Sequence, residues 1–160
     1  LDDQRVLYSF HMYEPYEATS GPNIKRVKPF IYPGEVPFNG KLEMWNAKRV
    51  ATYLQQPFDW AKQQGIPANR MVAGEFGCVR MLDNCRQYLE DVLTELDKHQ
   101  AHWAFYSFRE DSWDAMDYEL GKGKVPWAYW QAIEQNTPDT VKRHASPEFE
   151  PISGRLTGNK

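Results

Sequence analysis

Three short apolar segments separated by helical patterns constrain the fold of this chain more than any other feature of its sequence. Residues 6–13, 70–76 and 101–108 are rich in aromatic and β-branched side chains, which is typical of strands buried on both faces. A stretch with helical periodicity follows each of them. Because strand and helix alternate in this order, the sequence predicts an α/β fold with parallel strands and right-handed crossovers.

The three predicted helices are marked by residues at or near their ends. The first covers residues 46–64, and Pro57 is expected to kink or split it because proline lacks a backbone donor. The second follows Asp83, which is its predicted N-cap. The third starts at Pro126. Its aromatic and aliphatic side is formed by Trp127, Trp130 and Ile133.

Two long connections follow the carboxyl ends of predicted strands. Residues 14–45 contain five prolines and an Asn39-Gly40 turn, so they are expected to form a structured loop without helix. Residues 109–125 are first acidic and then rich in Gly and Lys. Parallel α/β folds place their sites at this end of the strands. The polar segment 139–160 has no helical period, which predicts a barrel domain over 1–138 and a loosely packed tail.

Composition excludes several classes of function. The 19 Lys and Arg against 22 Asp and Glu give a net charge of −3 without a basic stripe, so no nucleic-acid partner is expected. No apolar run approaches the roughly 20 residues that span a bilayer, and no targeting peptide is expected at the N-terminus. The histidines lack metal-ligand spacing, so no metal or other cofactor is expected. Cys78 and Cys85 are expected to be free thiols, with a loop-closing disulfide as the alternative.

Alternation along the strands places polar side chains together at one edge of the predicted sheet. Near the strand ends, one face carries His11, Tyr13, Glu75 and Tyr106. One step below lie the smaller residues Ser9, Ala73 and Ala104. This pattern resembles the mouth of a barrel. Glu75 lies between glycines in an apolar stretch, so it needs either hydrogen-bond partners or a chemical function. The glycines permit close approach of a ligand or simply tight packing.

The strand-end motifs resemble a known family. Residues 8–15 (YSFHMYEP), 72–77 (VAGEFG) and 103–110 (WAFYSFRE) look like strands six, seven and eight of glycoside hydrolase family 5, the cellulase-type (β/α)8 barrels. The resemblance covers roughly residues 5–135 in order. It implies a partial TIM barrel of three βα units and a retaining β-glycoside hydrolase acting on β-1,4-glucan. Mannan and mixed-linkage glucan remain open as substrates.

The same resemblance implies roles for individual residues. Glu75 matches the nucleophile, and His11 and Tyr13 match the pair that orients substrate and hydrogen-bonds the nucleophile. Tyr106 falls where the family usually has a tryptophan under the sugar, while Trp103 points to the opposite face. Retaining enzymes need two carboxyl groups about 5–5.5 Å apart, one to attack and one to protonate the leaving oxygen. In the loop after the third strand, Glu110 and Trp113 are expected to contact substrate.

The second carboxyl group of this mechanism is not found in the sequence. The family's acid/base is the Glu of an Asn-Glu-Pro motif, and the sequence contains no such motif. A complete barrel takes about 250 residues, so strands one to five are expected to be absent from these 160 residues. Loss of a general acid typically costs about 10²–10⁴-fold in rate. Carboxylates of a partner copy that could replace it are Glu14, Glu110, Asp111 and Asp114.

Exposed strand edges and an uncovered inner face favour association. The sequence therefore predicts a homo-oligomer that covers this face. The alternative to a hydrolase is a catalytically inactive half-barrel that binds carbohydrate or serves structure through association. The resemblance implies a secreted or periplasmic protein, although the residues themselves indicate no compartment.

Overall fold

The computed structural model describes residues 3–111 and 115–158 of the chain. Its strands are β1 (Tyr8–Met12), β2 (Gly34–Phe38), β3 (Lys41–Trp45), β4 (Met71–Phe76) and β5 (His102–Trp103). Its α-helices are α1 (Tyr16–Thr19), α2 (Gly21–Ile24), α3 (Ala47–Gln63), α4 (Cys85–His99), α5 (Trp127–Glu134) and α6 (Glu150–Leu156). Single turns of 3-10 helix cover Ala68–Arg70 and Tyr118–Leu120.

The predicted parallel sheet is confirmed, with the strand order β1-β4-β5. Its register contains one irregularity that the sequence did not predict. Phe10 lies opposite Ala73 and His11 lies opposite Glu75, so Gly74 is an extra residue in β4. The prediction that Ala73 and Glu75 share a face is therefore wrong. Ala73 is fully buried on the helix side of the sheet, while Glu75 faces the open side with His11.

The third strand is shorter than the predicted segment 101–108, since β5 contains only two residues. The chain beyond it still follows β4, because the Ala104 N–H donates to the Ala73 carbonyl and the Tyr106 N–H to that of Phe76. These bonds keep the end of the segment beside Glu75 although the regular ladder has ended. The irregular path thus still places Tyr106 at the same edge of the sheet.

Helices α3 and α4 pack against each other, and their buried residues form one core cluster with Met71, Ala73 and Phe76 of β4. The Asn46 side chain caps α3 by accepting from the Arg49 N–H at 3.1 Å. Pro57 does not split this helix, because Leu54 and Phe58 on either side are buried and their packing outweighs the lost hydrogen bond.

The start of α4 differs from the prediction by one residue. Its N-cap is Asn84, in a left-handed conformation and without a side-chain capping bond. The carboxylate of Asp83, the predicted cap, instead accepts from Lys122 at 2.9 Å. Asp83 is therefore engaged in a long-range ion pair and not in a helix cap.

The connection 14–45 contains more structure than predicted. It holds α1 and α2, which correct the expectation of a loop without helix, and then the antiparallel hairpin β2–β3. The predicted Asn39-Gly40 turn joins the two hairpin strands, and both residues have positive φ. Val36 and Trp45 are fully buried, so one face of the hairpin belongs to the core.

The segment after residue 138 is ordered as far as the structure describes it, which corrects the expectation of a loosely packed tail. Helix α6 packs against α4, and Ile152 is fully buried. Arg155 donates to Glu90 and to Asp97 at 2.9 Å. These ion pairs and the buried Ile152 stabilise α6, although its sequence lacks apolar helical periodicity. The domain boundary between residues 138 and 139 stays a prediction.

Helix α5 begins after Pro126, as predicted. Tyr129 and Ala132 are its buried residues. Trp127 and Ile133, on the side that the sequence marked as apolar, are 68% and 49% exposed. This side therefore lies away from the core of the described chain.

Candidate active site

Glu75 lies at the carboxyl end of β4 with two polar partners from β1 and the residue after it. The Tyr13 hydroxyl donates to Glu75 Oε2 at 2.9 Å, and His11 Nδ1 lies 3.6 Å from the same oxygen. The Glu75 side chain is 41% exposed, so it is not locked beneath packed side chains. The structure thus brings together His11, Tyr13 and Glu75 on the open face of the sheet.

The Tyr13 hydroxyl remains a hydrogen-bond donor across the neutral pH range. Burial raises the pKa of Tyr13, and the hydrogen bond to Glu75 raises it further. Smaller electrostatic contributions from Tyr118 and Tyr106 raise the pKa of Tyr13 in the same direction. A protonated phenol beside a carboxylate stabilises the ionised carboxylate.

The glycines around Glu75 serve tight packing. A Cβ on Gly74 would overlap the Ser9 hydroxyl, and a Cβ on Gly77 would lie 2.6 Å from the Tyr106 carbonyl oxygen. Because Gly77 has no side chain, the chain after β5 can pass directly beside the end of β4. Of the two interpretations left open by the sequence, the structure supports close packing of the chain on itself.

Tyr118 is a residue of the site whose bridging role sequence reasoning missed. It is buried, and its hydroxyl accepts from the Cys78 N–H at 3.0 Å and donates to the Tyr106 carbonyl at 3.0 Å. It therefore bridges the two chain segments that carry Glu75 and Tyr106. No local pattern indicates this role, because Tyr118 lies in a single turn of 3-10 helix and its partners Cys78 and Tyr106 are 40 and 12 residues away in sequence.

We expect Tyr118→Phe to lower the free energy of unfolding by about 1–3 kcal/mol, because it leaves a buried N–H and a carbonyl without their shared partner. Urea unfolding measures this loss. Tyr16→Phe is the matched control, since Tyr16 is 54% exposed and its hydroxyl makes no hydrogen bond to the described residues. Equal unfolding curves for the two variants would contradict the bridging role.

Tyr106 and Glu110 contact each other beyond the end of β5. The Tyr106 hydroxyl donates to Glu110 Oε2 at 3.0 Å, and both side chains are half-buried. Trp103 packs edge-on against Phe76 at 5.9 Å between ring centroids, on the side opposite to Glu75 as expected. Trp113, the other predicted substrate contact, lies outside the described residues.

Asp111, in the acidic part of the connection 109–125, is buried and does not project into solvent. It forms a buried ion pair with Arg80, with Arg80 Nε at 2.9 Å from Oδ1 and Nη2 at 2.8 Å from Oδ2. Its side chain is 3% exposed, so it is not available as a replacement acid. Asp114, another of the proposed replacements, lies outside the described residues.

Cys78 and Cys85 form a disulfide with a Cα–Cα distance of 5.8 Å. The expectation of two free thiols is therefore wrong, and the alternative of a loop-closing disulfide is correct. The two cysteines are seven residues apart, and the covalent ring that they close contains Arg80. The loop after β4 is thus held both covalently and by the buried ion pair.

Comparison with known proteins identifies the family. Residues 1–112 match the sequence profile of the cellulase family, glycosyl hydrolase family 5. The chain belongs to this family. The family assignment and the partial (β/α)8 barrel that the strand-end motifs implied are confirmed. No curated protein sequence is significantly similar to the chain.

Solved structures of family members resemble this chain over part of their length. An endoglucanase is 27% identical with a TM-score of 0.51, over 69% of this chain and 34% of that one. A hyperthermophilic endo-β-1,4-glucanase solved with substrate is 23% identical with a TM-score of 0.51, over 69% of this chain and 34% of that one. A family 5 xyloglucanase from Paenibacillus pabuli is 15% identical with a TM-score of 0.55, over 100% of this chain and 40% of that one. The chain therefore spans between a third and two fifths of the length of these relatives.

Two further observations concern the described ranges 3–111 and 115–158. No helix there is long and apolar enough to cross a membrane. Within the same ranges, no group of three or more His, Cys, Asp or Glu side chains is placed to hold a metal ion.

Proposed function

We propose that this family 5 chain carries the nucleophile side of a retaining β-glycoside hydrolase site, with Glu75 as the attacking group. The observation that carries this proposal is the 2.9 Å hydrogen bond from Tyr13 to an accessible Glu75. Both Tyr13 and His11 approach Oε2, so Oε1 is the oxygen presented to a sugar.

The chemistry follows from this arrangement. Oε1 of Glu75 forms a bond to the anomeric carbon while the glycosidic C–O bond breaks and its electron pair leaves with the departing oxygen. A general acid protonates that oxygen when the leaving group is a sugar. Water then displaces Glu75 from the glycosyl-enzyme, passes its proton to the conjugate base of that acid or to solvent, and restores the carboxylate. Tyr106 supports the sugar ring in this proposal, and Glu110 and Trp113 contribute substrate contacts.

The general acid of this reaction comes from outside the described site. The sequence contains no Asn-Glu-Pro motif, and Asp111 is held in the buried ion pair with Arg80. Glu110 accepts the Tyr106 hydroxyl. Turnover of an unactivated glucan by these residues alone is therefore expected to be slower by about 10²–10⁴-fold than with an acid in place.

A substrate that needs no acid tests the nucleophile directly. Dinitrophenyl 2-deoxy-2-fluoro-β-cellobioside has a leaving group that departs as an anion, and its fluorine slows release of the glycosyl-enzyme. We expect mass spectrometry to show one fluorocellobiosyl group on the peptide that contains Glu75. Unlabelled protein, or a label on another carboxylate, would overturn the proposal.

The substrate class is β-1,4-glucan in this proposal. Labelling by the cellobiosyl reagent in preference to the corresponding mannobiosyl reagent would support it. The inactive carbohydrate-binding half-barrel is the competing function, and its signature would be retention on cellulose without any labelling of Glu75.

We also propose that the chain by itself associates with a second copy through the open face of the sheet. β1 and β5 each pair on one edge only among the described residues, and Leu7 beside β1 is 56% exposed. Unpaired edges and apolar surface favour association. Light scattering after size exclusion should show a dimer or larger species, and Leu7→Lys should shift it toward the monomer.

The matched control for this prediction is Leu156→Lys, because Leu156 is 62% exposed on α6 and away from the sheet. This control should leave the oligomer unchanged. A folded wild-type monomer at all concentrations would contradict the association.

The compartment proposed for the chain is secreted or periplasmic. The disulfide between Cys78 and Cys85 supports this proposal, because disulfides persist mainly in oxidising compartments.

A further inference from the structure

A groove of about 710 Å³ is lined by none of the residues of the Glu75 site. Its lining comes from α1 and α2, from the chain before α5, and from α5 itself. The buried pair Arg80–Asp111 lies at its floor. We call this the lateral groove, and the residues that matter for its chemistry are Tyr16, Lys25, Arg80, Asp111, Lys124 and Trp130.

Two aromatic rings, one from α1 and one from α5, line the lateral groove. Tyr16 is 54% exposed, and Trp130 is partly exposed while its ring packs edge-on against Tyr129 at 5.0 Å. The contact with Tyr129 fixes the orientation of the Trp130 ring. Flat, oriented aromatic faces supply large contact area to a ring-shaped ligand at little cost in side-chain entropy.

The lining of the lateral groove carries two lysine charges that no described carboxylate pairs with. Lys25 and Lys124 are exposed, and neither forms an ion pair with a described residue. Arg26 and Lys122, which lie next to Lys25 and two residues before Lys124 in sequence, pair with Glu17 and Asp83, so these two carboxylates already have partners.

The floor adds no net charge, because Arg80 and Asp111 neutralise each other. The local positive charge contrasts with the net charge of −3 of the whole chain. An anionic ligand therefore complements this groove better than a neutral one.

We propose that the lateral groove binds a saccharide that carries a carboxylate, namely a uronic acid unit on a β-glycan. The aromatic rings contact the sugar ring, and Lys25 and Lys124 contact its carboxylate. This inference rests on the proposed function, and it refines the substrate class from a neutral glucan to one with acidic substituents.

Isothermal titration of the full chain with two matched probes tests the proposal. Cellobiose and the disaccharide in which its non-reducing glucose is replaced by glucuronic acid differ only in one carboxylate. We expect the acidic disaccharide to bind at least about tenfold more tightly at low salt, and we expect this preference to decrease with added salt. Equal affinity for the two probes, or no binding of either, would overturn the proposal.

Single substitutions locate the binding to this groove. Lys25→Gln and Lys124→Gln should each lower affinity for the acidic probe about threefold or more and leave that for cellobiose unchanged. Trp130→Ala should weaken binding of the acidic probe at least as much. Lys28→Gln is the matched control, because Lys28 is exposed on the same segment and does not line the groove. An equal effect of Lys28→Gln would show that the charge acts nonspecifically and would contradict the site.

The same titrations with Glu75→Gln separate this inference from the proposed hydrolase. Binding that persists in this variant supports the groove even if Glu75 is never labelled by the fluorinated reagent. Loss of the preference for the acidic probe in this variant would place the binding at Glu75 and overturn the groove as its location.

Discussion

Glu75→Gln is expected to abolish glycosyl transfer from an activated aryl β-cellobioside. Glutamine keeps the shape of the side chain but lacks the charged oxygen that attacks the anomeric carbon. Loss of an enzymatic nucleophile lowers turnover on the order of 10⁴-fold or more. Release of dinitrophenolate, followed by its absorbance, measures the reaction without any need for a general acid.

A chemical rescue distinguishes a lost nucleophile from a lost fold. Glu75→Ala leaves space on the face of the sugar from which the carboxylate attacks. Azide can enter this space and form a bond to the anomeric carbon while dinitrophenolate departs with its electron pair. We expect azide to restore release of dinitrophenolate and to produce the α-glycosyl azide, because one displacement inverts the anomeric centre.

Glu35→Gln is the control for both variants, since Glu35 is exposed on the β2–β3 hairpin. It should retain wild-type turnover. Full activity of Glu75→Gln, or rescue that gives the β-azide, would remove Glu75 from the role of nucleophile.

Arg80→Met is expected to cause the largest loss of stability among single substitutions outside the hydrophobic core. Arg80 is 1% exposed, and its guanidinium contacts both oxygens of Asp111. It also donates to the Gly121 carbonyl at 2.6 Å. Removal of one partner from a buried ion pair typically costs about 3–5 kcal/mol, because the other charge stays buried without compensation.

Thermal unfolding of Arg80→Met should therefore show a Tm lower by about 6–20 °C for a chain of this size. The double variant Arg80→Met, Asp111→Leu should recover much of this loss, since no unpaired charge remains. Lys122→Met is the matched control, because its ion pair with Asp83 is exposed and is worth about 1 kcal/mol or less. A loss no greater than that of the control would contradict the structural role of the buried pair.

The sequence predicted the arrangement of the sheet and the partners of Glu75 because both depend on local patterns. Apolar segments indicated the parallel strands, and the motifs at the strand ends placed His11 and Tyr13 near Glu75. The prediction of the face on which Ala73 lies was wrong because it also rested on a local pattern. Alternation assumes an uninterrupted ladder, whereas the extra residue at Gly74 depends on the register between β1 and β4.

Features that depend on distant partners were not predictable from local patterns. The position of Asp111 is set by Arg80, 31 residues away, and helix α6 depends on ion pairs with α4 more than 50 residues away. Tyr118 acquires its role only when two strand ends meet. In each case a polar side chain is fixed by a partner that no periodicity reveals.

The covalent ring between Cys78 and Cys85 has a consequence for how the chain is produced. Cytosolic expression in a reducing host would yield polypeptide of identical sequence whose segment around Arg80 lacks its crosslink. In such material, the segment that contributes Arg80 to the floor of the lateral groove would have greater conformational freedom before the Arg80–Asp111 ion pair forms. Export to the periplasm, or oxidative refolding, is therefore the preparation route that matches the native covalent state.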